Sequence, residues 1–162
     1  MRTATVITCS DRAFNGTYSD AGGEELQRGL IEMGYDVIDK TIVPDVVDAI
    51  RSQIQKGLEQ EVDLIVTTGG TGVAPSDLTP EATAPLIKIL IPGFSEALRA
   101  YGREKTATSD LSRGLVGTHG KTLIINLPGS MGGVRDGLVV IKRLAEHVHG
   151  QVLGFDHQKR DI

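Results

Sequence analysis

Tryptophan is missing from this sequence, its aromatics amount to three Tyr and three Phe, and it has one cysteine. Each scarcity closes a class of explanation. Cys9 cannot form a disulfide within the chain and has no fellow ligands for a structural zinc site, so a reducing compartment is expected. So few rings leave little platform for stacking single-stranded bases. Positive charge is no more plentiful: 17 Lys and Arg against 21 Asp and Glu give a formal net charge of −4. A general nucleic-acid binder needs a basic face to neutralise phosphates, which argues against that partner. No apolar run approaches the ~20 residues of a membrane span, and the N-terminus lacks a basic stretch followed by an apolar one. The expectation is a cytoplasmic protein with neither membrane nor nucleic acid among its partners.

Glycine, by contrast, is abundant: 20 of 162 residues, about 12% against roughly 7% in ordinary chains. With six prolines and no three-residue period, neither collagen nor a low-complexity tract fits. The length suits one domain, taken as residues 1–162, which at this size buries about 70% of its unfolded surface without staples.

Thr3–Thr8 reads as a buried first strand, β-branched and uncharged. A loop over Ser10–Asp20 carries the turn pair Asn15-Gly16, and Ser19 or Asp20 can cap a helix with Leu26, Leu30 and Met33, stopped by Gly34. Tyr35–Val43 is a second strand. Asp45 is placed to cap a helix burying Val46, Ile50, Ile54 and Leu58, before a third strand over Val62–Thr68. Thr79-Pro80-Glu81 is a helix start, Pro85 and Pro92-Gly93 interrupt the stretch after it, and a helix runs from about Phe94 to Arg103. Lys121–Leu127 is a fourth strand. The stripe Val134, Leu138, Ile141, Ala145, Val148 marks a long last helix. Strands alternating with helices predict an α/β fold, a three-layer αβα sandwich around a mainly parallel sheet.

In such a sheet ligands bind outside the carboxyl ends of the strands. The loops there are Ser10-Asp11-Arg12, Pro44-Asp45, Thr67–Gly72 with Asp77 beyond, and Asn126–Ser130. Gly69–Gly72 can fold backbone amides around an anion, or can simply connect strand to helix; a dinucleotide fingerprint would need a third glycine. Gly117–Thr122 ends in Gly-Lys-Thr, yet Leu115 stands where a phosphate loop needs glycine and a strand follows where it needs a helix; a hairpin turn is expected instead. Asp11, Asp45 and Asp77 can supply the one or two carboxylates that magnesium takes alongside phosphates, although Asp45 also suits a helix cap and Asp11 a turn. Arg12, Arg113 and Arg135 are candidate phosphate partners. His147 and His149, two apart on one helix, face different ways and make a poor metal pair, while His119, His157 and Cys9 offer no evident chemistry.

Taken in order, Ser10-Asp11-Arg12, Pro44-Asp45, Thr67–Gly72, Asp77–Thr83, Pro92-Gly93-Phe94, Leu111-Ser112-Arg113 and Asn126–Gly129 resemble the MogA/MoaB family of molybdenum-cofactor biosynthesis proteins, a domain that also occurs in gephyrin. The resemblance spans nearly the whole chain. It implies molybdopterin adenylyltransferase activity: AMP passes from ATP to the terminal phosphate of molybdopterin, with Mg²⁺, releasing pyrophosphate, and the product goes to a molybdenum-insertion protein. On this chain it puts the catalytic and metal-binding aspartates at Asp45 and Asp77. It makes Ser10, Asp11, Thr68, Gly69, Gly70, Thr71, Gly72, Ser112, Arg113, Asn126, Pro128, Gly129 and Ser130 substrate-binding, and it implies a homotrimer. Ser76 stands where many relatives carry a basic residue, and Ser130-Met131-Gly132-Gly133 leans toward the MoaB-like branch, for which the alternative is molybdopterin binding without turnover.

Overall fold

The computed structural model describes residues 1–155; His157 lies outside them. Strands β1 (Arg2–Cys9), β2 (Tyr35–Val43), β3 (Leu64–Thr68), β4 (Ile89–Leu90), β5 (Val116–His119) and β6 (Thr122–Leu127) alternate with helices α1 (Asp11–Phe14), α2 (Ala21–Glu32), α3 (Val47–Glu59), α4 (Thr79–Thr83), α5 (Pro92–Arg103) and α6 (Met131–Val152). They form one sheet in the order β2-β1-β3-β6-β5-β4. The first four strands of that order are parallel, and the edge closed by β5 and β4 is antiparallel.

The period-two alternation of a strand explains the three layers. Ala4 and Val6 of β1, Leu64 and Val66 of β3, and Leu123, Ile125 and Leu127 of β6 meet Leu26 and Leu30 of α2, Phe94 of α5, and Val134, Val140 and Ile141 of α6. The intervening residues Ile7, Cys9, Ile65 and Ile124 point the other way, against Ile50 and Ile54 of α3 and Ala82 of α4. Each of those apolar side chains contributes at most about 1.5–3 kcal/mol by leaving water. The uncharged strands are therefore covered on both faces, as expected of a parallel centre.

Four expectations need correction. Two antiparallel strands, β4 and β5, were not foreseen; β4 is two exposed residues and β5 contains Gly117, neither a strong strand signal. Ser10–Asp20 is not all loop, because the Ser10 hydroxyl accepts from Ala13 N–H at 3.2 Å and caps the single turn α1. Pro92, expected to interrupt, instead begins α5, where its missing N–H costs nothing. Asp45 does not cap α3; Val46 occupies that position without a side-chain hydrogen bond, because the Asp45 carboxylate is engaged elsewhere. The expected hairpin is present: His119 pairs with Thr122, and Gly120 takes φ +56° at the first loop position, as a type II′ turn requires.

From β1 the chain moves outward to β2, then returns to the other side of β1 for β3. The carboxyl ends of β1 and β3 thus diverge into Ser10 and Gly69, the topological switch point where open α/β sheets place ligands.

Candidate active site

The turn after β3 is the centre of this edge. Gly69 and Gly70 have φ of +98° and +67°, and a Cβ on Gly69 would stand 2.3 Å from the Cys9 carbonyl oxygen, so only glycine fits. Gly69 N–H donates to the Leu127 carbonyl at 3.0 Å, and Thr79 N–H to the Gly70 carbonyl at 3.1 Å. The Thr79 hydroxyl donates to the Gly69 carbonyl at 2.8 Å. With those carbonyls tied back, the amides of Gly70, Thr71 and Gly72 donate to no backbone carbonyl among the described residues. Three consecutive unspent N–H groups can cradle an anion.

Neighbouring loops brace this turn. The Arg113 guanidinium donates to the carbonyls of Gly72 and Asp77, each at 2.8 Å, and pairs with Glu81, whose carboxyl it holds below the ordinary range. Thr68 Oγ1 donates to the Pro128 carbonyl at 2.9 Å, and a Cβ on Gly129 would lie 3.2 Å from the Gly69 Cα. The two glycine loops therefore pack back to back. Ser112 donates to Thr71 Oγ1 at 3.3 Å. Ser130 caps α6, accepting from Gly133 N–H at 3.0 Å. Asn126 is buried, with its amide donating to Thr67 and Thr83 and its oxygen accepting from Leu115 N–H, so it ties β6 to its neighbours.

The acids converge from three loops. Asp11 N–H donates to Asp45 Oδ2 at 3.0 Å, and Asp45 N–H donates to Asp11 Oδ1 at 2.9 Å. This reciprocal pair locks the ends of β1 and β2 together. Asp45 Oδ1 is buried with no hydrogen-bond partner among the described residues. Burial pushes the Asp45 carboxyl above the ordinary aspartate range; the Asp11 N–H pulls it back, and the charges of Asp11 and Asp77 raise it again. Asp77 Oδ2 accepts from Ala74 N–H at 2.9 Å.

Two adjoining cavities open here, one of about 490 Å³ and one of about 590 Å³, both within the roughly 300–1,000 Å³ of ligand sites. Gly70, Asp77 and Gly129 line both. Ser10, Asp11, Asp45, Thr68 and Gly69 line only the larger. Thr71, Gly72, Ser112, Asn126, Pro128 and Ser130 line only the smaller. Of the catalytic and substrate-binding residues that the resemblance implies, Arg113 lines neither.

A divalent cation fits the donor set. An unpartnered buried carboxylate oxygen, disfavoured as an anion by burial and two like charges, is what a cation would relieve. Among the described residues no three His, Cys, Asp or Glu are grouped to hold a metal. Magnesium needs only one or two carboxylates when substrate phosphates complete its shell.

Of the other two candidate phosphate partners, one lies away from these cavities and one borders the larger. Arg135 pairs with Glu25 on the helix surface at 3.2 Å. Arg12 borders the larger cavity, its guanidinium 4.8 Å from the Tyr18 ring centroid. Cys9 is buried, which pushes its thiol up to about 12 and leaves it inert. His119 bonds the Leu86 carbonyl at 2.7 Å, and His149 is buried against Tyr35 far from this edge.

Sequence reasoning missed Asp20, Thr79, Arg99, Lys105 and Asp136. The sequence marks Asp20 only as a cap, which it is, but its Oδ1 also accepts from Thr8 Oγ1 at 2.8 Å and the residue lines the larger cavity. Asp136 carried a legible signal, a charge on the helix face that also holds Gly133, Gly137 and Val140.

A family model described as "Probable molybdopterin binding domain" matches residues 5–147. The chain is 40% identical over 139 residues to "Molybdopterin adenylyltransferase" of Helicobacter pylori strain J99, covering 84% of this chain and 79% of that one. It is 39% identical over 154 residues to the "Molybdenum cofactor biosynthesis bifunctional protein" of Synechococcus elongatus, covering 95% of this chain. The chain spans about half the length of that relative, 48%. The solved "Molybdopterin biosynthesis Mog protein from Mycobacterium ulcerans" superposes with a TM-score of 0.89 at 42% identity, covering 94% of this chain and 99% of that one.

Proposed function

The chain belongs to the family described as probable molybdopterin binding domain, and from that premise we propose that it is a molybdopterin adenylyltransferase. A terminal phosphate oxygen of molybdopterin bonds to the α-phosphorus of ATP. The bond from that phosphorus to the bridging oxygen breaks, and pyrophosphate leaves with the electron pair. Both reactants are anions, so the central difficulty is like-charge repulsion at the meeting point.

This edge of the sheet supports that reading. The unspent amides of Gly70, Thr71 and Gly72 can hold phosphate oxygens with no reorganisation. Asp45 and Asp77 would hold Mg²⁺, which supplies charge neutralisation and orientation of the triphosphate. Arg113, Thr79 and Thr68 keep the amides in place, so positioning provides most of the acceleration. The attacking phosphate is ionised near neutral pH, and no histidine base is required.

One observation carries the proposal: a buried, unpartnered Asp45 oxygen in one ligand-sized cavity and a three-amide cradle opening on the next, the two joined at Gly70, Asp77 and Gly129. The wider reading includes one domain over residues 1–162, a homotrimer, a cytoplasmic setting and hand-over to a molybdenum-insertion protein. Among the described residues no helix is long and apolar enough to cross a membrane. The test is Asp77→Asn, whose amide oxygen can still accept from Ala74 N–H. Pyrophosphate release from Mg·ATP with molybdopterin should fall at least about 100-fold; a folded variant with near-normal release overturns the assignment.

A further inference from the structure

The smaller cavity holds an acid that the chemistry above leaves idle. Asp136 of α6 is 8% exposed and lines the cavity at a distance in sequence from the glycine turn. Its Oδ1 accepts from the Lys105 ammonium, which is itself largely in solvent. Its Oδ2 takes no hydrogen bond among the described residues, and a Cβ on Gly102 across from it would still be 3.8 Å away. Nearby, Arg99 Nη1 donates to the Ser112 carbonyl at 3.2 Å, and Ser109 donates to the Arg99 carbonyl at 3.2 Å. Leu98 and Leu111 supply apolar wall. A nearly buried carboxylate with an open oxygen beside apolar wall is built to receive a flat ring that presents hydrogen-bond donors.

We infer that Asp136 reads the 2-amino-4-oxo edge of the pterin ring of molybdopterin, an inference that rests on the adenylyltransferase reading. That edge offers two adjacent donors, the 2-amino group and N3–H, and an ionised carboxylate only accepts. The comparable edge of adenine sets an amino donor beside a ring-nitrogen acceptor, whose lone pair a carboxylate repels. Asp136 therefore sorts the two substrates. The pterin takes the smaller cavity and the adenine nucleotide the larger one. Their phosphates meet where Gly70, Asp77 and Gly129 line both. Lys105 pairs with Asp136 Oδ1 and leaves Oδ2 to the ring.

The experiment measures dissociation constants of molybdopterin and of ATP separately, for the wild type, Asp136→Asn and Lys105→Met. Asp136→Asn should weaken molybdopterin between about 10-fold and 100-fold and leave ATP unchanged, since a charged hydrogen bond is lost. Lys105→Met should stay within about fivefold of the wild type, because the acceptor remains. Should Asp136→Asn fail to fold, competition on the wild type decides: pterin displaces molybdopterin, whereas lumazine, with an oxygen in place of the 2-amino group, competes at least about tenfold less well. Equal weakening by both variants, or equal competition by pterin and lumazine, overturns the inference by reducing the pair to a structural one. Wild-type binding of molybdopterin without pyrophosphate release overturns the adenylyltransferase reading while leaving the Asp136 assignment standing. No wild-type affinity for molybdopterin overturns both.

Discussion

Asp45→Asn separates the charge of this side chain from its shape. The asparagine oxygen can still accept from Asp11 N–H, as Asp45 Oδ2 does at 3.0 Å, so the lock between the ends of β1 and β2 survives. What disappears is a partly buried negative charge that Asp11 and Asp77 already disfavour. Water screens this partly exposed group, so removing the repulsion should move the melting temperature by no more than about 3 °C in either direction. Catalysis should respond far more. At an effective dielectric of about 20, unit charges about 4 Å apart interact by about 4 kcal/mol. Losing that attraction toward a cation-bound triphosphate corresponds to about 1,000-fold in rate. The assay pairs initial rates of pyrophosphate release over a Mg²⁺ titration with thermal melting in the same buffer. A second signature is pH. Because the folded state holds the Asp45 proton to a higher pH than the unfolded chain does, its ionisation costs stability. The asparagine variant therefore gains stability relative to wild type as pH rises through the raised pKa. A variant that melts like wild type and turns over within tenfold of it refutes the reasoning.

Gly69→Ala should lower the melting temperature by about 10 °C, from about 3 kcal/mol of backbone strain and the encroachment on the Cys9 carbonyl. Gly16→Ala, also at positive φ but with open space around it, should cost only about 1 kcal/mol; equal losses in the two variants would show that the close approach is irrelevant. His149 is buried with its Nε2 2.9 Å from the Tyr35 hydroxyl, and burial, with Arg2 in support, lowers its pKa below the usual 6.5. The unfolded chain therefore takes up that proton first, so the stability His149 contributes is complete above about pH 6.5 and is lost as pH falls below it. His149→Phe should flatten that acid limb in a plot of melting temperature against pH, and an unchanged slope would sink the attribution.

Much of the fold was legible because burial writes itself into periodicity. The uncharged β-branched run at Thr3–Thr8 and the stripe from Val134 to Val148 became β1 and α6 because hydrophobic faces must be covered. The edge strand β4 escaped, since two exposed residues pairing with β5 leave no pattern and are fixed only by Ile89↔Thr118 and Leu90↔Gly117. The same division runs through the site. Gly69, Gly70, Asp45 and Asp77 stood out by position after strands and by their resemblance to a known family. Arg113 was expected to meet phosphate, but its guanidinium is taken up by two loop carbonyls and Glu81.

By itself, then, the sequence determined an α/β sheet, the loops at its carboxyl edge and the glycines that only a positive φ or a close approach could require. These arise from local rules: periodicity, capping and steric freedom act over a few residues. Only the tertiary structure decided that Asp45 bonds Asp11 across 34 positions rather than capping its own helix. It alone brought Asp136 and Lys105 into one cavity from elements 31 residues apart. Such pairings depend on how helices pack on the sheet, and no local pattern encodes them.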